Sequence, residues 1–311
     1  MFNISTAWNI DTDKKSAEKA VEEINSLGFD ALELAWINES KFKELKKIKF
    51  KAGSVHSYVP EPLDLKAGRW RCDVYRLTAS DEEERKQAVK WMKSSIDTAE
   101  WCGAPAVVVH LGFPEGCPRR SKPLIELYNE GKKATAEYRK EKEELLKERE
   151  FYKAKGFTAG LLSLKEINSY AFKKKIKIGL ETRMFYEEFP NLEEFQYIFK
   201  EFSGGALYYW HDIGHAEIHG RLGFTTPEEY LSNLKKHLIG LHIHDMRGIS
   251  DHRAPGTGDV DYHKYLPWLK DPALIKVFEL HPFNSREEVI AGRQLLEKLC
   301  GESDKNYDRL L

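Results

Sequence analysis

Ile178-Gly179-Leu180-Glu181, Trp210-His211-Asp212-Ile213-Gly214-His215, Leu241-His242-Ile243-His244-Asp245 and Val277-Phe278-Glu279 share one pattern. Each is a short apolar, strand-like run that ends in a carboxylate or an imidazole. A strand ends where its apolar run ends, so these polar side chains collect at strand ends. A closed parallel barrel brings the ends of many strands to one rim, and on that rim such barrels carry their chemistry. The pattern therefore predicts a fold and a metal site together.

Outward from these runs, short β-rich segments alternate with longer helix-periodic ones, as parallel β-α units require. Strands are expected around 2–6, 31–35, 50–56, 106–111, 176–181, 206–211, 239–244 and 275–280. Eight strands close a barrel, so the fold class is α/β, a single (β/α)8 TIM barrel. Helix ends are readable between them. Ala17, Ala20, Val21, Ile24 and Leu27 share a face, and Gly28 stops that helix. Ser80 with Glu83, Thr226-Pro227 with Glu229, and Ser285 with Glu288 each read as a capped helix start. The long stretch of about 112–175 reads as a charged helical insertion after strand 4, within one domain spanning 1–311. Its Tyr138–Tyr152 segment is dense in Lys and Glu at helical spacing. It reads as a solvated helix held by i,i+4 charge pairs, or as a lid or dimer arm above the rim.

The 311 residues are 41% hydrophobic and 32% charged, with a net charge of -1. That is a globular composition, with room for one barrel of about 250 residues plus an insertion. The charge balance argues against nucleic acid as partner. No apolar run approaches the roughly 18 residues of a membrane span. Cys72, Cys102, Cys117 and Cys300 are scattered, which reads as reduced thiols in a cytoplasmic protein. The N-terminus enters a strand directly, with no signal peptide ahead of it.

The candidate site residues each have a plain alternative. Glu181 closes a buried strand, where a carboxylate needs a partner or an ion; the plain alternative is a salt bridge to Arg183. Asp212 and His215 follow a strand as D-x-x-H, with Gly214 permitting a sharp turn; Asp212 alone could merely cap the next helix. His242 and His244 share one strand face. His242 is preferred as a ligand, with His244 as its second choice or as an outer partner. Glu279 repeats the Glu181 argument. His56 and His110 also stand at strand ends, as contacts to substrate or to a second metal. The loop 250–259 follows His242 closely enough for His252 and Arg253 to reach the pocket. Trp8, Trp36 and Phe113 could wall it, since aromatic faces suit the C–H faces of a sugar.

Taken in order, strand-H at His56, H-x-G at His110, strand-E at Glu181, D-x-x-H at Asp212, H-x-x-D at His242, H-R-x-P-G-x-G at 252–258 and strand-E at Glu279 resemble the xylose-isomerase-like TIM barrel superfamily. That group includes sugar (phosphate) isomerases and epimerases, and endonuclease IV. Apart from the insertion, the resemblance runs from about residue 2 to 299. In the ketose 3-epimerase branch it implies one divalent metal held by Glu181, Asp212, His242 and Glu279. The two glutamates are then the catalytic acid-base pair, and His215 and Arg253 hold substrate oxygens. In the endonuclease IV branch, His56, His110, His215 and His252 would join as ligands of further zinc ions. One position departs from that branch: its Asp-x-His is Ser250-Asp251-His252 here.

The expected function is a metal-dependent isomerase or epimerase of a small carbohydrate, phosphorylated or not, working through an enediolate. A C–H beside a carbonyl is too weak an acid for an unaided carboxylate, and a bound cation supplies several kcal/mol. Three carboxylates and one imidazole favour manganese, then zinc, cobalt or magnesium. The alternative is a zinc-dependent phosphodiesterase of the AP-endonuclease kind. The charged insertion could also serve a homo-oligomer.

Overall fold

A computed structural model describes residues 1–10, 15–63 and 71–301. Its strands are β1 (Asn3–Ser5), β2 (Ala31–Leu34), β3 (Ala52–His56), β4 (Ala106–Val109), β5 (Lys177–Glu181), β6 (Leu207–Asp212), β7 (Leu238–Ile243), β8 (Asp245–Arg247), β9 (Ser250–Arg253) and β10 (Ile275–Phe278). The first seven and β10 pair in parallel and close into a barrel, with β10 between β7 and β1. All eight barrel strands lie where the apolar runs place them. The remaining two form an antiparallel hairpin on the rim, in the stretch the sequence reads partly as a loop.

Around the barrel run α1 (Ala17–Asn25), α2 (Glu39–Leu45), α3 (Glu82–Cys102), α4 (Ser121–Asn129), α5 (Ala136–Lys174), α6 (Leu192–Glu201), α7 (Ile213–Leu222), α8 (Pro227–Leu234), α9 (Leu266–Leu269) and α10 (Arg286–Gly301). The Thr226–Glu229 capping box forms at the start of α8. At α10, Ser285 and Glu288 exchange backbone-to-side-chain bonds of 2.7 and 3.2 Å. The cap of α3 is Asp81 and not Ser80, because the Asp81 carboxylate accepts from Glu84 N. Among the described residues no helix is long and apolar enough to cross a membrane.

The stretch 112–175 has two parts. Leu164, Ile167 and Ala171, late in α5, belong to the main core, so this end is the barrel helix between β4 and β5. The extra structure is α4 and the first half of α5. It is not held mainly by pairs along its own surface. Buried Arg149 grips Glu194 of α6 through two bonds of 2.8 and 2.7 Å. Arg120 reaches Glu141 and Glu148, and Tyr138 donates to Leu222 O at 2.9 Å. Leu124, Tyr138 and Leu145 pack with Ile218, Leu222, Met246 and Ile249, a second apolar cluster that docks the insertion on α7 and the hairpin.

Side chains two apart on one strand share a face, and this sets two layers inside the barrel. The lower layer is apolar. Trp210 packs with Ala106, Val108 and Val277. Its ring lies so close to Gly179 and Gly240 that a Cβ on either would come within 2.9 and 2.3 Å of ring carbons. Two residues further along each strand, or at its end, stand Glu181, Asp212, His242 and Glu279. Gly240→Ala should therefore push the indole out of its slot and cost about 1–3 kcal/mol of stability through overpacking. A urea unfolding curve checks this; an unchanged midpoint would contradict the packing described.

Candidate metal centre

Glu181, Asp212, His242 and Glu279 converge, with one donor atom from each within 4.8 Å of all the others. Three of the four are fully buried, and Glu279 keeps 13% of its side chain exposed. The three carboxylates crowd one ring nitrogen. His242 Nδ1 lies 2.9 Å from Glu181 Oε1, 3.1 Å from Glu279 Oε2 and 3.7 Å from Asp212 Oδ2. A ring nitrogen carries one hydrogen, and it is directed at Glu181. Glu279 Oε2 is left buried with no hydrogen-bond partner among the described residues. Burial pushes His242 down, but Glu279, Glu33 and Glu181 together hold it well above the ordinary imidazole range. Excess negative charge with an orphaned carboxylate oxygen is an environment that a divalent cation neutralises, and the donor set fits one.

Each ligand candidate is oriented by a neighbour. Asp212 Oδ1 accepts from His215 N at 2.7 Å, capping α7, while the same carboxylate faces the cluster. Capping and site membership therefore coexist in one side chain. His244 Nδ1 accepts from His252 N at 3.0 Å. Its proton is then on Nε2, which donates to Asp212 at 2.9 Å. His244 thus orients the Asp212 carboxylate. Gly214 makes room for that ring: a Cβ there would lie 2.0 Å from His244 Cε1. The glycine serves close approach, where the sequence suggests a sharp turn.

Two further groups flank the first. His56 and His110 meet Glu181 on one side, with His110 Nε2 2.7 Å from Glu181 Oε2. His215, His244 and His252 meet on the other. Burial holds His215 below the ordinary imidazole range, and its Nδ1 is 3.0 Å from Thr182 O, which leaves Nε2 to face Asp251 at 3.7 Å. His252 has a left-handed backbone, φ +54, and its ring stacks between His244 and His281 at 4.3 and 4.1 Å.

The family profile of the xylose isomerase-like TIM barrel matches residues 21–299. The chain belongs to this family. Among solved structures its fold is similar to that of a D-tagatose 3-epimerase-like protein, with 21% identity, 96% of each chain covered and a TM-score of 0.65. It is similar to L-ribulose 3-epimerase at 12% identity, covering 99% of this chain and 97% of that one, with a TM-score of 0.68. The TTHB071 protein from Thermus thermophilus, soaked with ZnCl2, gives 19% identity, 97% and 98% coverage and a TM-score of 0.60. No curated relative matches the sequence.

Within this xylose isomerase-like barrel, the other expected residues make contacts of their own. Arg253 lies over Phe283, 5.5 Å from the ring centroid, and makes no ion pair with the carboxylates among the described residues. Trp8 is buried in the core with its indole N–H on Asn284 O at 3.0 Å, so it packs the fold where the sequence suggests a pocket wall. Trp36 and Phe113 are half-buried, Trp36 against His281 and Phe113 under Arg119. Asp245 is fully used elsewhere, since it accepts from the backbone N–H groups of Met246, Gly256, Gly258 and Val260 and so shapes the loop after the hairpin.

Sequence reasoning missed Glu33 on β2. It is fully buried, and its Oε2 lies 3.2 Å from His242 Nε2 and accepts from Ser54 Oγ at 2.8 Å. A carboxylate on the outer nitrogen fixes the tautomer and turns Nδ1 toward the cluster. The signal was present in Ala31-Leu32-Glu33-Leu34-Ala35, a glutamate inside an apolar strand. Glu33→Gln should weaken divalent-metal binding about 10–100-fold while leaving the ligand count unchanged. Competition against a chelating dye would show it, and unaltered affinity would remove Glu33 from this role.

Because His242 is held above its ordinary range, a cation must displace its Nδ1 proton. Metal affinity should therefore rise from pH 6 to pH 8, by up to about tenfold per unit for one released proton. Titration calorimetry in buffers of different ionisation enthalpy counts that proton directly; a binding enthalpy independent of buffer would contradict it.

Proposed function

We propose that the chain is a divalent-metal-dependent isomerase or epimerase of a sugar or sugar phosphate. The observation that carries this is the convergence of Glu181, Asp212, His242 and Glu279 at the C-terminal rim of a closed barrel. The similar folds of proteins named as D-tagatose 3-epimerase-like and L-ribulose 3-epimerase support the substrate class. The ion, when bound, would polarise the substrate carbonyl and stabilise the enediolate. Glu181 and Glu279 supply the proton chemistry. They come from β5 and from the end of β10, with β6 and β7 between them, so the two carboxylates flank the space above Asp212 and His242. One removes the proton next to the carbonyl, and the other returns it to the opposite face or to the neighbouring carbon. His215, whose Nε2 faces Asp251 at 3.7 Å, would hold a substrate oxygen, and Trp36 and Phe113 would wall the pocket. The donor set, rich in carboxylate, favours manganese, with zinc, cobalt and magnesium next.

A second reading, a zinc-dependent phosphodiesterase, draws support from the two flanking histidine groups. Hydroxide generation between ions would need at least two per chain.

With manganese and a panel of ketoses and ketose phosphates, the purified protein should form epimers or isomers and incorporate solvent deuterium next to the carbonyl. Glu279→Gln should lower kcat by about 10²–10⁴. Absence of exchange with every substrate, alongside hydrolysis of a phosphodiester, would replace the first reading with the second.

A further inference from the structure

Arg183 follows Glu181 by two residues, and its head turns back into the barrel mouth. Its Nη1 lies 2.5 Å from His110 Nε2 and 3.3 Å from Glu181 Oε2. These two atoms are 2.7 Å apart, and His56 Nε2 lies 3.5 Å from the same carboxylate oxygen. They are the donor atoms that would form an ion site from His56, His110 and Glu181. Glu188 Oε2 braces the guanidinium from behind, 3.5 Å from Nε. The Arg183 side chain is only 11% exposed.

We propose that the Arg183 guanidinium is a built-in cation that takes the place of a metal ion in this group. The inference rests on the reading of the rim as a metal centre. An arginine does not lose its proton near neutral pH. His110 Nε2 is held between that fixed charge and Glu181 Oε2, and its Nδ1 faces Asp73 Oδ1 at 3.7 Å. A ring nitrogen already engaged by a guanidinium and a carboxylate is closed to a metal, and a fixed positive head repels a second ion at the same carboxylate oxygen. Glu181 is thereby divided. Its Oε2 belongs to Arg183 and His110, and its Oε1 belongs to His242 and the ion proposed there.

The test is metal content, measured by elemental analysis of the full chain after incubation with excess manganese or zinc and desalting. R183A and R183M should each hold one more ion per chain than the wild type. Adding H110A to R183A should remove that extra ion. H110A alone should leave the wild-type count unchanged, because the imidazole there serves an arginine. Equal counts in the wild type and both arginine variants overturn the proposal, and so does loss of an ion in H110A alone. If circular dichroism shows that neither arginine variant folds, H110A decides. A wild-type chain with no ion instead overturns the reading of the rim, and the arginine's role with it.

Discussion

Three carboxylates facing one imidazole nitrogen is the arrangement on which the rest of the centre depends. Glu181, Glu279 and Asp212 all approach His242 Nδ1, which has one hydrogen to give. Buried charge of one sign is costly unless it is compensated. The fold compensates in two ways visible in the structure, by raising the proton affinity of His242 and by directing His244 at Asp212. Glu279 Oε2 nevertheless keeps no hydrogen-bond partner among the described residues. A cation would neutralise it, and the four donor atoms are already close enough to share one.

Such crowding survives because the scaffold is rigid beneath it. Trp210 fills the barrel below the ligand layer, and the two glycines beside it let the strands close around the ring. Glu33 and Ser54 hold the outer nitrogen of His242, and Asp245 gathers the loop that follows the hairpin. These polar contacts lie one step behind the candidate ligands. They orient them, which is how a site held by strand ends keeps its geometry while leaving one side open.

The strands were legible because a buried parallel strand is a continuous apolar run, and its polar terminus marks the rim. That one rule found Glu181, Asp212, His242 and Glu279. It passed over Glu33, because the same apolar run continues on both sides of that residue and hides the interruption. It misplaced Trp8, because exposure depends on what covers a strand end, and Asn284 is some 276 residues away in sequence. For Arg253 spacing gives reach and not direction; in the structure its guanidinium lies over Phe283. The insertion showed its charge in the sequence but not its partners, since Glu194 and Leu222 come from later elements.

The two glutamates are chemically alike but are held differently. Glu181 is restrained on both oxygens, by His242 on one and by His110 and Arg183 on the other, with almost no exposure. Glu279 has an oxygen without a hydrogen-bond partner and retains some contact with solvent. A proton carrier must change partners during a reaction. By that criterion Glu279 is the freer of the two proposed acid-base groups, and Glu181 the more tightly held. Burial pushes the Glu279 carboxyl up, but the charges of His242 and His252 outweigh it and keep it ionised in the absence of an ion. A cation held by these ligands would displace the His242 proton and weaken that restraint, so the basicity of Glu279 would then depend on the charge beside it.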